Sequence, residues 1–212
     1  MSDAIKTWER RRSPSTFSKI VRGVKKPEPL RERISYTIYK LKVQGQRLDQ
    51  AYQRMQSHYN SLFSKCTNAV MAKDSTRAPL YANECAEVRK MCQIIMRSQF
   101  AIEQVVLRLE TVEEFGDIAV EMSPVANVIN SVRGPLVGVV PEVSYTLGEI
   151  GDSLNDLVME AGGATSMPWN VTSSGAEAEK ILTEANTIAE QRMKEKFPRL
   201  PGTGLPSLEK TS

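Results

Sequence analysis

Aromatic residues are scarce in this chain, at 6% of 212 residues, so a compact core built on large rings is not expected. Histidine occurs once, at His58, and cysteine three times, at Cys66, Cys85 and Cys92, with no CxxC pair. A zinc site ordinarily takes four closely spaced ligands, so this composition argues against a metal centre, and no cofactor is expected. The cysteines read instead as free thiols on buried helix faces in a reducing cytosol. No run of 18 or more apolar residues occurs, which argues against a transmembrane helix, and the basic N-terminus lacks a signal-peptide core. GxGxxG, Walker A, HExxH and nucleophile-elbow motifs are all missing. His58, beside an apolar seam on a long helix, reads as structural, and no catalytic role is expected.

Charge is present in quantity but unevenly placed. Residues 1–60 hold 14 Lys/Arg against 5 Asp/Glu, and residues 103–160 hold 2 against 11. The chain is therefore a dipole, with a basic first half and an acidic third quarter. A basic face attracts phosphate, on lipid or on nucleic acid, and an acidic segment of the same chain competes for that face.

Five segments follow from the pattern. Residues 1–27 form a basic amphipathic segment. Phe17, Ile20, Val21 and Val24 fall on one helix face, with Trp8 upstream, among Arg10, Arg11, Arg12, Lys19, Arg22, Lys25 and Lys26. Such a stripe suits shallow insertion among lipid headgroups, where each nearby cation adds about 1 kcal/mol at an anionic surface; a small capping helix packed on the long helices is the alternative, but it would not need seven cations. Pro27-Glu28-Pro29 ends it.

Residues 28–162 form the helical core. Within 28–73, Ile34, Ile38, Leu41, Gly45, Leu48, Tyr52, Met55, Tyr59, Leu62, Cys66 and Ala69 follow alternating steps of 4 and 3, a heptad seam. Gly45 is its weak point, marking either a close helix–helix approach or a flexible spot. A second seam runs through Tyr81, Cys85, Val88, Cys92, Ile95, Gln99, Ile102, Val106 and Leu109. Between the two, Ser75 or Thr76 is expected to cap the second helix, with Pro79 in its first turn. Two matched seams and a short loop predict an antiparallel hairpin over 28–115.

Beyond the interruption at Gly116, shorter acidic helices are expected over 117–162. A first one is expected over about 117–131, with Ser123-Pro124 capping, kinking or restarting it, and Arg133-Gly134-Pro135 and Gly138 to Pro141 as breakers. Val143, Leu147, Ile150, Leu154 and Leu157 share one face, and Gly162-Gly163 are expected to stop that helix. Residues 163–175 read as a linker with Trp169 as a docking aromatic, residues 176–197 as a last helix, and residues 198–212 as a proline-rich tail. In the tail Phe197, Leu200, Leu205 and Leu208 are spaced by prolines, the pattern of an extended docking peptide.

Two further surfaces are candidates. Arg31, Arg33, Lys40, Lys42, Arg47 and Arg54 give the first long helix a basic face. Nucleic acid is the competing ligand, although interleaved aromatics are sparse and no reader motif occurs. Glu110, Glu113, Glu114, Asp117 and Glu121 form an acidic cluster at the Gly116 break. A solvated face explains such a run better than acid–base catalysis, and the −9 segment is placed to fold over the +9 one.

Taken in order, these parts resemble the ESCRT-III family, and within it the archaeal cell-division CdvB paralogues. The ordered features are the basic start Phe17 to Lys26, the entry Pro27-Glu28-Pro29-Leu30-Arg31, the helix end Val112-Glu113-Glu114-Phe115, the acidic short helices, and the strip Arg199 to Pro206. The resemblance implies an all-α fold built on a polymerising hairpin. Filaments of the subunit and its paralogues form on anionic membrane at the division site and constrict and sever it. It also implies that acidic C-terminal helices hold a closed monomer, that opening extends the second helix, and that an AAA+ ATPase with an MIT domain docks on the strip at Leu200, Pro201, Leu205 and Pro206. Some CdvB chains carry a further C-terminal winged-helix-like domain, which is not expected here because this sequence ends too soon for one.

Overall fold

A computed structural model describes residues 30–115, 118–165 and 171–197. The stripe Trp8 to Lys26 expected to meet membrane, the acidic residue Asp117, Trp169 and the strip Leu200 to Pro206 lie outside the described residues. All the described secondary structure is helical: α1 (Leu30–Met71), α2 (Arg77–Phe115), α3 (Ile118–Leu136), α4 (Pro141–Thr165) and α5 (Val171–Lys196). The chain is all-α, as the seams predict.

Helix α1 runs 42 residues with no proline inside it, a rod of roughly 60 Å at 1.5 Å per residue. Its seam is buried at Ile34, Ile38, Leu41, Leu48, Tyr52, Tyr59, Leu62, Cys66 and Ala69. Helix α2 answers with Cys85, Val88, Cys92, Ile95, Ile102, Val106 and Leu109, and the two pack along their length as an antiparallel hairpin. Neither stripe is covered without the other, so the hairpin and not intrinsic propensity stabilises these long helices.

The tip between them is specified by backbone chemistry. Lys73 sits in the left-handed region at φ 57°, while the N–H of Asp74 donates to Ala69 O at 2.9 Å and that of Lys73 to Val70 O at 3.0 Å. This is a Schellman ending with lysine where glycine is usual. Asp74, not Ser75 or Thr76, is the cap. Its Oδ1 accepts from the N–H groups of Thr76 and Arg77 at 3.0 and 2.9 Å. Its own carbonyl accepts the first helical bond, from Ala78. The reason is register: the left-handed residue at 73 turns the chain one step earlier than the serine and threonine do.

Helix α2 is apolar on more than one side, since Met96, Ala101, Val105 and Val112 are buried as well as its seam. That second side takes α3 and α5. Helix α3 passes unbroken through Ser123-Pro124 and Arg133-Gly134-Pro135, so the first neither caps nor restarts it and the second is not a breaker. Each proline costs about 3 kcal/mol in a helix interior, but burying each of Val125, Ile129, Val132 and Leu136 returns about 1.5–3 kcal/mol. The chain turns instead at residues 137–140, and Pro141 opens α4 at the position where its missing N–H costs nothing.

Helix α4 buries Val143, Leu147, Ile150, Leu154 and Leu157 against α3 and α1. The Ser144 hydroxyl donates to Arg133 O at 3.0 Å. Gly148 and Gly151 permit this approach: a Cβ there would lie 2.9 Å from the Arg133 guanidinium carbon and 2.8 Å from Asn130 Oδ1. Helix α4 continues through Gly162-Gly163 to Thr165, and α5 begins at Val171. The expected stop and the expected linker over 163–175 are thus mostly helical. Glycine in a helix costs about 1 kcal/mol, a penalty and not a terminator, where no left-handed turn is imposed.

Candidate functional site

Helix α5 lies back along α2 in the opposite direction. Its stripe Ala178, Ile181, Ala185, Ala189 and Met193 is buried, and the small side chains at three of these positions let the helices approach. From one end to the other, Arg108 pairs with Glu177 at 3.1 Å, Gln104 donates to Glu184 at 3.4 Å, and Arg192 lies over the Phe100 ring at 5.9 Å. The last contact is Phe197, 3% exposed, edge-on to Tyr59 and under the guanidinium of Arg89. Phe197 reads in sequence as part of the docking tail; it is instead seated in the hairpin, because it continues the four-residue spacing of the α5 stripe.

The hydroxyls of Tyr52 and Tyr59, beneath Lys196 and Phe197, have no hydrogen-bond partner among the described residues. Burial pushes the Tyr52 phenol up to about 12, aided by Cys92 and opposed by Arg192, and burial raises Tyr59 as well. The same cause raises Cys85 and takes Cys92 up to about 11. All three cysteines are buried and free.

The expected basic face resolves into two. At roughly 100° per residue, the heptad steps Arg33, Lys40, Arg47 and Arg54 share one side of α1, while Arg31 and Lys42 fall on another. Arg33 pairs with Glu160 of α4. Lys40 stands 4.8 Å from the Tyr36 ring centroid, and Arg47 and Arg54 face solvent. Beside them Tyr36 and Tyr39 are 58% and 63% exposed. Sequence reasoning missed both tyrosines, although their positions outside the 4–3 seam mark them as outward-facing.

Of the acidic cluster, Glu110 pairs with Lys42 at 2.7 Å and Glu113 accepts from the Ser35 hydroxyl. Both brace the hairpin itself. Glu114 is exposed, and the side chain of Glu121 lies outside the described residues. The carboxylates that join the later helices to the hairpin are Glu160, Glu177 and Glu184, which carry no special signal in sequence. Among the described residues no group of three or more His, Cys, Asp or Glu is placed to hold a metal ion, and no helix is long and apolar enough to cross a membrane.

No protein-family profile matches the chain, and no solved structure matches it. Curated relatives do. Cell division protein B1 of Sulfolobus acidocaldarius is 43% identical over 187 residues, covering 88% of this chain and 87% of the relative. Cell division protein B of the same organism is 33% identical over 172 residues, 81% of this chain and 66% of the relative. Cell division protein B3 is 26% identical over 118 residues, 55% of this chain and 68% of the relative. With an all-α hairpin and an identity of this extent, the chain belongs to the CdvB family of cell division proteins, a branch of the ESCRT-III-like proteins.

Proposed function

We propose that this chain acts in archaeal cell division as a non-catalytic, membrane-remodelling filament subunit. It polymerises on the anionic inner face of the membrane, with itself and with paralogous subunits, and helps constrict and sever it at the division site. The observation that carries this reading is the outward stripe Lys40, Arg47 and Arg54 with Tyr36 and Tyr39 beside it. Cations flanked by amphipathic rings suit a headgroup layer, and the stripe continues toward the basic segment that precedes α1. Closure by α4 and α5 supplies the off state. A phosphate surface shifts that balance only by binding the open form better. An AAA+ ATPase with an MIT domain, docking at Leu200, Pro201, Leu205 and Pro206, recycles the subunit.

The experiment is co-sedimentation with anionic and neutral liposomes, followed by negative-stain electron microscopy. Filaments or tubules on anionic vesicles alone are the expected result; binding without dependence on lipid charge would refute the reading. Tyr36 and Tyr39 also favour a second one, a soluble coiled-coil adaptor whose stripe binds nucleic acid by stacking and phosphate contact. Phe17→Asp with Val21→Asp separates the two, since it is expected to abolish liposome binding and to leave nucleic-acid affinity mostly intact.

A further inference from the structure

One face of the hairpin takes α3, α4 and α5; another is left uncovered by the described residues. There α1 and α2 part to leave a groove of about 810 Å³, floored by Leu41, Ile102 and Val106 and edged by Leu107, which is 62% exposed. Gly45 makes the notch. A Cβ there would meet nothing within 4 Å, so this seam glycine is neither a close approach nor a helix break, since α1 is continuous through it. The rim is acidic. Glu110 is matched by Lys42, Asp49 makes no ion pair among the described residues, and Glu103 has only the longer-range attraction of Arg192.

We propose that in the free subunit this groove holds the chain's own basic amphipathic segment, Phe17 to Lys26, running antiparallel to α1. Three features fit. The apolar stripe Phe17, Ile20, Val21 and Val24 spans roughly 10 Å as a helix, within the roughly 14–16 Å over which the groove is lined. The five residues between Val24 and Leu30 extend to roughly 17–20 Å, enough to return to Leu41, which lies roughly 16 Å along α1 from Leu30. In that direction Lys25 and Lys26 come beside Glu110, and Arg22 and Lys19 come toward Glu103 and Asp49. The apolar floor meets an apolar stripe, and the rim carboxylates Asp49 and Glu103 meet surplus cations. A lipid surface and the groove therefore compete for the same stripe.

Hydrogen exchange on the full chain without lipid tests this independently of membrane binding. Amides of residues 17–24 are expected to exchange at least about tenfold slower than in an unstructured segment, at every protein concentration in a dilution series. Gly45→Phe grows a ring into the groove without touching the core and is expected to abolish that protection, while Gly45→Ala keeps it. Asp49→Lys with Glu103→Lys abolishes it by charge, a route that does not depend on filling the notch. Unprotected amides in the natural chain overturn the proposal. So does protection unchanged in Gly45→Phe, which places the segment elsewhere. Protection that disappears on dilution also overturns it, because a second copy then occupies the groove.

Discussion

The rings of Phe197 and Tyr59 meet edge to face, with centroids 4.6 Å apart and planes at 82°. One ring lies on the residue just past α5, whose N–H still donates to Met193 O, and the other in the middle of α1, so this pair joins the end of the chain's last described helix to the hairpin. The two side chains should nonetheless respond in opposite directions. Phe197→Ala leaves a hole under Arg89 and is expected to weaken closure by about 3 kcal/mol. Tyr59→Phe removes a buried hydroxyl that has no partner among the described residues and is expected to strengthen closure by about 1 kcal/mol. Exchange rates of α5 amides read both effects: faster in the first variant, slower in the second, with the hairpin amides little changed.

Closure is mostly apolar. The ion pairs that span it, Arg33–Glu160 and Arg108–Glu177, are partly exposed, with side chains 25–50% accessible. Pairs of this kind contribute about 0–1 kcal/mol each and are screened by salt. Raising ionic strength to molar levels should therefore loosen α5 only modestly, by less than Phe197→Ala does, while it removes most binding to anionic vesicles. Equal sensitivity of the two processes would mean that charge and not the Ala178–Met193 stripe holds the helix down.

The hairpin was legible because its signal is redundant. Twenty seam positions repeat the same spacing, and a single exception such as Gly45 does not shift the register. Helix ends were less legible where they rest on one residue's φ, as at Lys73, or on a contest between proline cost and burial, as at Pro124. The closing contacts were hidden for another reason. The net charges of whole segments suggest that acidic helices cover basic ones, but the partners are decided by which few carboxylates face the hairpin. Glu160 and Glu177 do so; Glu110 and Glu113 are consumed within it. The Phe197 anchor follows the four-residue step of its helix, yet the proline after it makes the same residue read as tail.

The thiols supply a pH test. Burial raises Cys92 from an ordinary 9.0 to about 11, and raises Cys85 in the same direction. A raised thiol pKa means that the folded chain keeps a proton the unfolded chain gives up. The stability associated with it is fully present below about pH 9 and is lost progressively as pH rises through about 11. Urea midpoints should accordingly be flat from pH 7 to about 8.5 and fall between about pH 9 and 11. Cys92→Val should flatten that decline. At pH 8 a thiol reagent is expected to reach all three cysteines only after unfolding, and rapid modification of the native chain would contradict their burial.

The hairpin tip offers a gain in stability. Lys73 holds a left-handed φ of 57° with its side chain exposed. A non-glycine residue pays roughly 1–2 kcal/mol for that conformation, and glycine pays part of it back through extra entropy in the unfolded chain. Lys73→Gly should therefore stabilise the protein by about 0.5–1 kcal/mol, read as a higher urea midpoint with an unchanged slope. Asp74→Ala, in contrast, leaves the N–H groups of Thr76 and Arg77 without their acceptor and lowers the midpoint. The Arg77 and Thr76 amides hold the Asp74 carboxyl below its ordinary range, so its contribution is present above that range and is lost as pH falls through the lowered value. The difference between the natural chain and Asp74→Ala should accordingly shrink in acid. Loss of stability in Lys73→Gly would mean that the lysine side chain, and not the left-handed backbone, sets the tip.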